Sequence, residues 1–476
     1  MRISRLFLLA ATFLVSEYAS AQGNIHVRSS SYEWPSDSAV VRKLQKWQDL
    51  KFGVLLHWGL YAVPGIVESW SICDEDWIQR DTTRTYQQYK DWYWGLADEF
   101  RPTNFNPRQW AQVAQDAGMK YMIFTTKHHD GFCLWKSQET DFTIARHAFA
   151  DDPKHDVLLH VLQPFRERDF LLGTYFSKPD WHSQYYWWDV FPTKGRNVNY
   201  PVQQYLWRWQ QFQKFTYRQL EEILSRYGSV DLLWLDGGWV CPENRGQDID
   251  MPRIAAMARH HQPGLLIVDR TIHGPYENYQ TPERTVPETQ LDFPWESCIP
   301  LSDDWGWVPN PRWKSPQKVI NTLIEVVAKG GNLVLGVGPT ADGLLQEEVV
   351  ERLQAIGKWL NIYGEAIYGT HATPEYHSGS ALWFTDSKDG ATRYALFALP
   401  EGETPPTALS WQGNAPKHGS TIRIVGSNRK VQWRRQPDGT IVVSLPKDLT
   451  QEPFALRFIP ETLPRRLATL HPAKNP

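Results

Sequence analysis

From Lys51 onward, short apolar runs alternate with longer helical patterns, and this alternation restricts the fold more than any other feature of the chain. It marks strand-helix-strand units and a parallel sheet, because parallel neighbours need a crossover that is usually a helix. VLLHW at 54–58 reads as a strand. In NPRQWAQVAQDAG, Asn106 caps a helix, Pro107 fills its first position and Gly118 stops it, and the strand KYMIFTT follows at once. Further strands are expected at 171–177, 230–236, 265–269 and 332–338, with helices near 155–168, 203–227, 252–262 and 316–329. The strands are apolar almost throughout, as strands buried on both faces must be. The expected fold class is therefore α/β, a (β/α)8-like barrel. Six strands are legible where closure needs eight, so either two are irregular or the sheet is open.

After about Tyr368 the pattern becomes short and alternating, in ALWFTD, RYALFALP, TIRIVG, VQWRRQ, TIVVSL and ALRFIP, broken by Gly, Pro, Asn and Asp. That predicts a C-terminal antiparallel β-sandwich. At the other end, Arg2 and Arg5 precede an apolar run from Leu6 to Val15, and Ala-Ser-Ala precedes Gln22. This is the layout of a signal peptide, too short to span a bilayer, and it implies an exported protein, periplasmic or secreted, with no membrane span in the mature chain. The expected division is 1–21 signal peptide, 22–367 barrel and 368–476 sandwich, with 465–476 as a loose tail.

Net charge is −3, from 50 basic and 53 acidic residues without long like-charge blocks, which excludes a nucleic-acid or other polyanion partner. Cys73, Cys133, Cys241 and Cys298 are too scattered for a disulfide scaffold or a structural zinc site. The 24 tryptophans and 20 tyrosines supply flat apolar faces with polar edges, suited to sugar rings as well as to a core.

In such a barrel the reactive groups stand where strands end, and four ends carry polar residues: His57 and Trp58; His128, His129 and Asp130; Tyr175; and Asp236. Asp236, in WLDGGW, is followed by two glycines that turn the chain and leave its carboxylate at the barrel mouth. His128 and His129 would point to opposite faces of a regular strand, which suits hydroxyl binding better than metal ligation. No cluster of His, Cys and acids has metal-ligand spacing, so neither a metal nor another cofactor is expected.

The segments KFGVLLHWGLYAVP, YMIFTTKHHDGFCLW, VDLLWLDGGW, VDRTIHG and NLVLGVGPTADG, in this order, resemble the signatures of glycoside hydrolase family 29, the retaining alpha-L-fucosidases. The resemblance implies a somewhat irregular (β/α)8-like barrel followed by a β-sandwich, and a fucosylated oligosaccharide or glycoconjugate as substrate. It implies Asp236 as nucleophile, with His57, His128, His129, Tyr175, Trp234 and Arg270 around the fucose ring. Glu68 and Trp70 match a Glu-Trp pair, although a serine separates them here.

For the acid/base, Glu283 in QTPERTVP and Glu296 in FPWESC are both candidates, with Glu288 between them. Glu296 is preferred, because burial beside tryptophan raises a carboxyl pKa toward what an acid needs. The mechanism implied is double displacement by two carboxyls about 5 to 5.5 Å apart. A retaining glycosidase for another sugar and a non-catalytic carbohydrate-binding relative are the alternatives.

Overall fold

The structure, a computed structural model, describes residues 32–270, 274–449 and 451–462; the expected leader and the 465–476 tail lie outside them. Seven parallel strands form one sheet: β1 (Phe52–Leu56), β2 (Tyr121–Lys127), β3 (Leu171–Ser177), β4 (Leu232–Asp236), β5 (Leu266–Val268), β6 (Glu296–Pro300) and β7 (Asn332–Val337), in the order β5-β4-β3-β2-β1-β7-β6. The two edges are joined by an irregular stretch. Asn278 N–H donates to Ile267 O on the β5 side, and on the β6 side Cys298 N–H donates to Pro282 O, with further ladder bonds between Gln280 and the 294–296 segment. Segment 278–284 thus stands in the place of an eighth strand. It carries no apolar run, and neither does the short β6, ESCIP, which is why the sequence shows six strands rather than eight.

Helices α1 (Ser38–Leu50), α2 (Tyr86–Gly95), α3 (Pro107–Asp116), α4 (Val157–Arg166), α5 (Leu206–Arg226), α6 (Met251–His261), α7 (Pro316–Ala328) and α8 (Glu347–Tyr363) surround the sheet. The cap of α3 is as read, with the Asn106 side chain accepting from Gln109 N–H and Pro107 opening the helix. Helix α1 closes the barrel floor. Its Val40, Leu44 and Trp47 join the inward side chains Leu55, Tyr121, Ile123, Leu171, Leu232, Trp234 and Val334 in one buried cluster, and Trp47 stacks on Tyr279 at 4.0 Å. The outward strand residues pack against the helices in a second, larger core.

Antiparallel strands follow: β8 (Thr370–Ser378), β9 (Leu382–Ser387), β10 (Arg393–Phe397), β11 (Ala408–Trp411), β12 (Ile422–Ile424), β13 (Lys430–Val431), β14 (Trp433–Arg435), β15 (Ile441–Ser444) and β16 (Phe454–Phe458). They make a six-stranded sheet, β13-β12-β16-β10-β9-β8, and a three-stranded one, β11-β15-β14. Trp411 of the smaller sheet packs against Phe384 and Phe458 of the larger, so the two face each other across an aromatic core. The sandwich is tied to the barrel by the Trp359 indole of α8, which donates to Pro453 O at 2.6 Å. All four cysteines are free thiols. Among the described residues no helix is long and apolar enough to cross a membrane.

Candidate active site

The carboxyl ends of β1 to β5 converge on Asp236, the last residue of β4. Gly237 follows at φ 88°, and a Cβ there would stand 2.3 Å from Pro179 Cδ, so only glycine allows the chain to turn away and leave the carboxylate at the rim. Asp236 accepts from the Tyr175 hydroxyl at 2.5 Å, meets Arg270 Nη1 at 3.1 Å and lies 3.7 Å from His129 Nε2. Burial is the largest single influence and raises its pKa, but the Arg270 guanidinium, His129 and the Tyr175 hydroxyl together outweigh it and hold the carboxyl well below the usual range. It is an ionised acceptor at any working pH.

Arg270 reaches past Asp236 to Glu283, its Nη2 standing 2.6 Å from Glu283 Oε2, and its guanidinium covers the Trp234 ring at 4.6 Å. Its backbone is left-handed, at φ 41°, which costs a non-glycine residue energy and marks an imposed conformation. The buried Lys178, next after β3, supplies the restraint by donating from Nζ to Asp269 O at 2.6 Å and to Arg270 O at 3.4 Å. Its own N–H donates to Asp236 O at 2.8 Å, so one residue fixes both the carboxylate's strand and the arginine's turn. Burial brings the Lys178 ammonium down to about 8.

The histidines lie beyond the end of β2, not within it, which overturns the expectation that they face opposite ways. Their rings are 4.1 Å apart. Ser177 Oγ spends its proton on Pro179 O at 2.8 Å, so at 2.6 Å it accepts from His129 Nδ1, and His129 Nε2 is left as an acceptor facing Asp236. His128 Nδ1 meets Ser69 Oγ. His57 Nδ1 meets Thr125 Oγ1 at 3.2 Å, while its buried Nε2 has no protein partner. Burial lowers all three pKa values, His129 to about 3, so neutral imidazoles face the site. Atoms of His128, His129 and Asp236 do lie within 4.8 Å of one another, a set that the sequence spacing hid. The Arg270 charge on the same carboxylate opposes a cation there.

The residue that interrupts the Glu-Trp pair has its own role. Ser69 holds His128, while Trp70 packs edge-on against His129 at 5.0 Å. Glu68 Oε1 accepts from Trp305 N–H at 2.9 Å and Gly306 N–H at 3.0 Å, and burial lifts its pKa to about 7. It fixes the 305–306 loop, whose Trp305 indole donates to Glu283 Oε1 at 3.3 Å. Trp305 and Lys178 are the site residues that reading the sequence missed. Lys178 follows an apolar strand but stands in no chemically suggestive motif, and Trp305 lies in a loop after β6.

Glu296 requires a correction. It opens β6 at the amino end, opposite Asn332, and is 0% exposed deep in the barrel. There it accepts from the Tyr121 hydroxyl at 2.6 Å and the Trp234 indole at 3.3 Å. Burial does raise its carboxyl to about 8, but a raised pKa is no use to a group that cannot meet substrate. The Glu283 side chain, 14% exposed, shares the rim with Asp236 at 18%. Two carboxyls on one guanidinium, among neutral imidazoles and indoles, can work on a neutral polyol by nucleophilic attack and proton transfer.

Residues 19–365 match the family model described as Alpha-L-fucosidase. The chain is 30% identical over 434 residues to the tissue alpha-L-fucosidase of Bos taurus, covering 87% of each chain. To the plasma alpha-L-fucosidase of Homo sapiens it is 27% identical over 86% of this chain and 88% of that one. Among solved structures, it superposes on alpha-L-fucosidase isoenzyme 1 from Paenibacillus thiaminolyticus with a TM-score of 0.73 at 26% identity, over 89% of this chain and all of the other. The Thermotoga maritima alpha-fucosidase in complex with fucose gives 0.70 at 26%, over 90% of this chain and 100% of that one.

Proposed function

The chain belongs to the alpha-L-fucosidase family and is a glycoside hydrolase, and on that premise we propose that it releases terminal alpha-L-fucose from fucosylated glycans by an exo-acting, retaining mechanism. The observation that carries this reading is the pairing of Asp236 and Glu283 on Arg270 at the barrel rim. Asp236, kept ionised, attacks the anomeric carbon, and the fucosyl-aspartate ester forms as the glycosidic bond breaks. Glu283 gives its proton to the departing oxygen, then takes one from the water that cleaves the ester.

His129 Nε2 and the unpartnered His57 Nε2 accept or donate to ring hydroxyls beside the attacked carbon. Trp70, partly exposed beside His129, offers apolar surface to a 6-deoxy sugar, while Trp234 backs the Arg270 guanidinium. Glu68 positions Trp305 and, through it, Glu283. The leader layout at 1–21 supports export to the periplasm or the exterior.

Proton NMR of the wild type acting on 4-nitrophenyl alpha-L-fucoside tests this reading, with the corresponding galactoside and glucoside as controls. The alpha anomer of fucose is expected first. The beta anomer first would replace double displacement with inversion, and turnover of a control alone would replace the sugar.

A further inference from the structure

A second aromatic surface lies outside the site, where the long β3–α5 connection meets the first turn of α5. Tyr185, Trp188 and Trp207 gather round Arg208, whose guanidinium carbon is 5.8, 4.0 and 5.7 Å from their respective ring centroids. Arg208 is buried and donates from Nε and Nη2 to Gln184 O at 2.9 and 2.5 Å, so its charge is used internally and offers nothing to an anion. Asn199 brackets Trp188, accepting from its N–H and donating to its carbonyl, both at 2.8 Å, and the Tyr200 hydroxyl donates to Tyr185 O at 2.6 Å. The main chain at Tyr185 and Trp188 is therefore held before any ligand arrives. Yet Trp207 is 55% and Tyr185 37% exposed, with Leu206 and Val190 exposed beside them. Exposed apolar residues grouped in this way mark a candidate binding feature.

Its chemistry narrows the ligand. Flat rings with polar edges suit the C–H faces of neutral pyranoses, and the exposed Asp189 carboxylate next to Trp188 can accept from a sugar hydroxyl. The inner side of the same connection walls the catalytic pocket: Trp181 lies 5.1 Å from His129 and stacks on Trp187 at 5.1 Å and 7°. The connection thus contacts the site on one side and on the other carries Tyr185 and Trp188, with Trp207 joining them from the first turn of α5. We propose that Tyr185, Trp188 and Trp207 form a secondary glycan-binding surface, taking the neutral oligosaccharide to which the fucose is attached. The identity of that ligand rests on the fucosidase reading; the surface itself can be tested without turnover.

The full chain and its Trp207→Ala and Tyr185→Ala variants are titrated by calorimetry with two fucose-free neutral tetrasaccharides, cellotetraose and an N-acetyllactosamine-type tetrasaccharide. Light scattering monitors the oligomeric state. The wild type is expected to bind at least one of them, each variant about ten-fold more weakly, and Trp207→Phe close to wild type. Turnover of 4-nitrophenyl alpha-L-fucoside stays within about two-fold, because that substrate has no glycan to place. Binding of neither tetrasaccharide, or equal binding by the variants, overturns the proposal. So does a dimer that Trp207→Ala converts to monomers, which would make the patch an interface between copies. A wild type that binds a tetrasaccharide but turns over no fucoside overturns the catalytic reading and leaves the surface standing.

Discussion

Arg270 holds Asp236 and Glu283 on adjacent nitrogens of one guanidinium, at 3.1 and 2.6 Å. A planar fork can serve two carboxyls at once where an ammonium cannot. Arg270→Lys is therefore expected to lower kcat/KM on an aryl fucoside by about 100-fold while the protein stays folded. Steady-state kinetics beside circular dichroism check this. Loss below about three-fold would mean that the arginine only balances charge.

Glu283 and Glu296 separate cleanly by variant. Glu283→Gln should lose about 100-fold or more in kcat on a natural glycan, less on an aryl fucoside whose leaving group needs no proton, and azide should restore turnover of the latter as fucosyl azide. Glu296→Gln keeps an acceptor for the Trp234 indole and should retain most activity. The reverse pattern would return the acid/base role to Glu296.

Burial lifts the Glu296 carboxyl from 4.5 to about 8, so the folded chain binds that proton more tightly than the unfolded one. Its contribution is fully present below pH 4.5 and is lost as pH rises through about 8. Glu296→Gln carries no titrating proton. Its melting temperature should gain on the wild type's steadily between those limits, as calorimetry across pH would show. A constant difference would mean that Glu296 does not titrate in this window.

Lys178 acts through Arg270. Lys178→Met keeps most of the buried volume but frees the left-handed turn, and should lower kcat about ten-fold or more. Lys178→Arg should not rescue it, because the pocket is closed around the shorter cation. A change in melting temperature without a change in kcat would make Lys178 purely structural.

Six of the seven parallel strands were legible because burial on both faces writes them as apolar runs, and Asp236 because two glycines follow such a run; β6, ESCIP, has no such run. Segment 278–284 was not, since its main-chain bonds close the barrel without an apolar side-chain pattern. Preferring Glu296 followed from correct chemistry in the wrong place. The flanking tryptophan and the raised pKa are both present, but the strand begins at Glu296 rather than ending there, and sequence does not say which end of a short strand faces the mouth. The histidine pair misled in the same way, because β2 ends at Lys127 and frees both rings to turn inward.

The central claim is that Asp236 becomes covalently fucosylated. Its most direct test is peptide mapping by mass spectrometry of Glu283→Gln, quenched during turnover of an aryl fucoside with a good leaving group, when slow hydrolysis lets the ester accumulate. One deoxyhexosyl residue on the peptide holding Asp236, absent from Asp236→Asn, is the expected result; the same adduct on another residue, or on Asp236→Asn, would contradict the account.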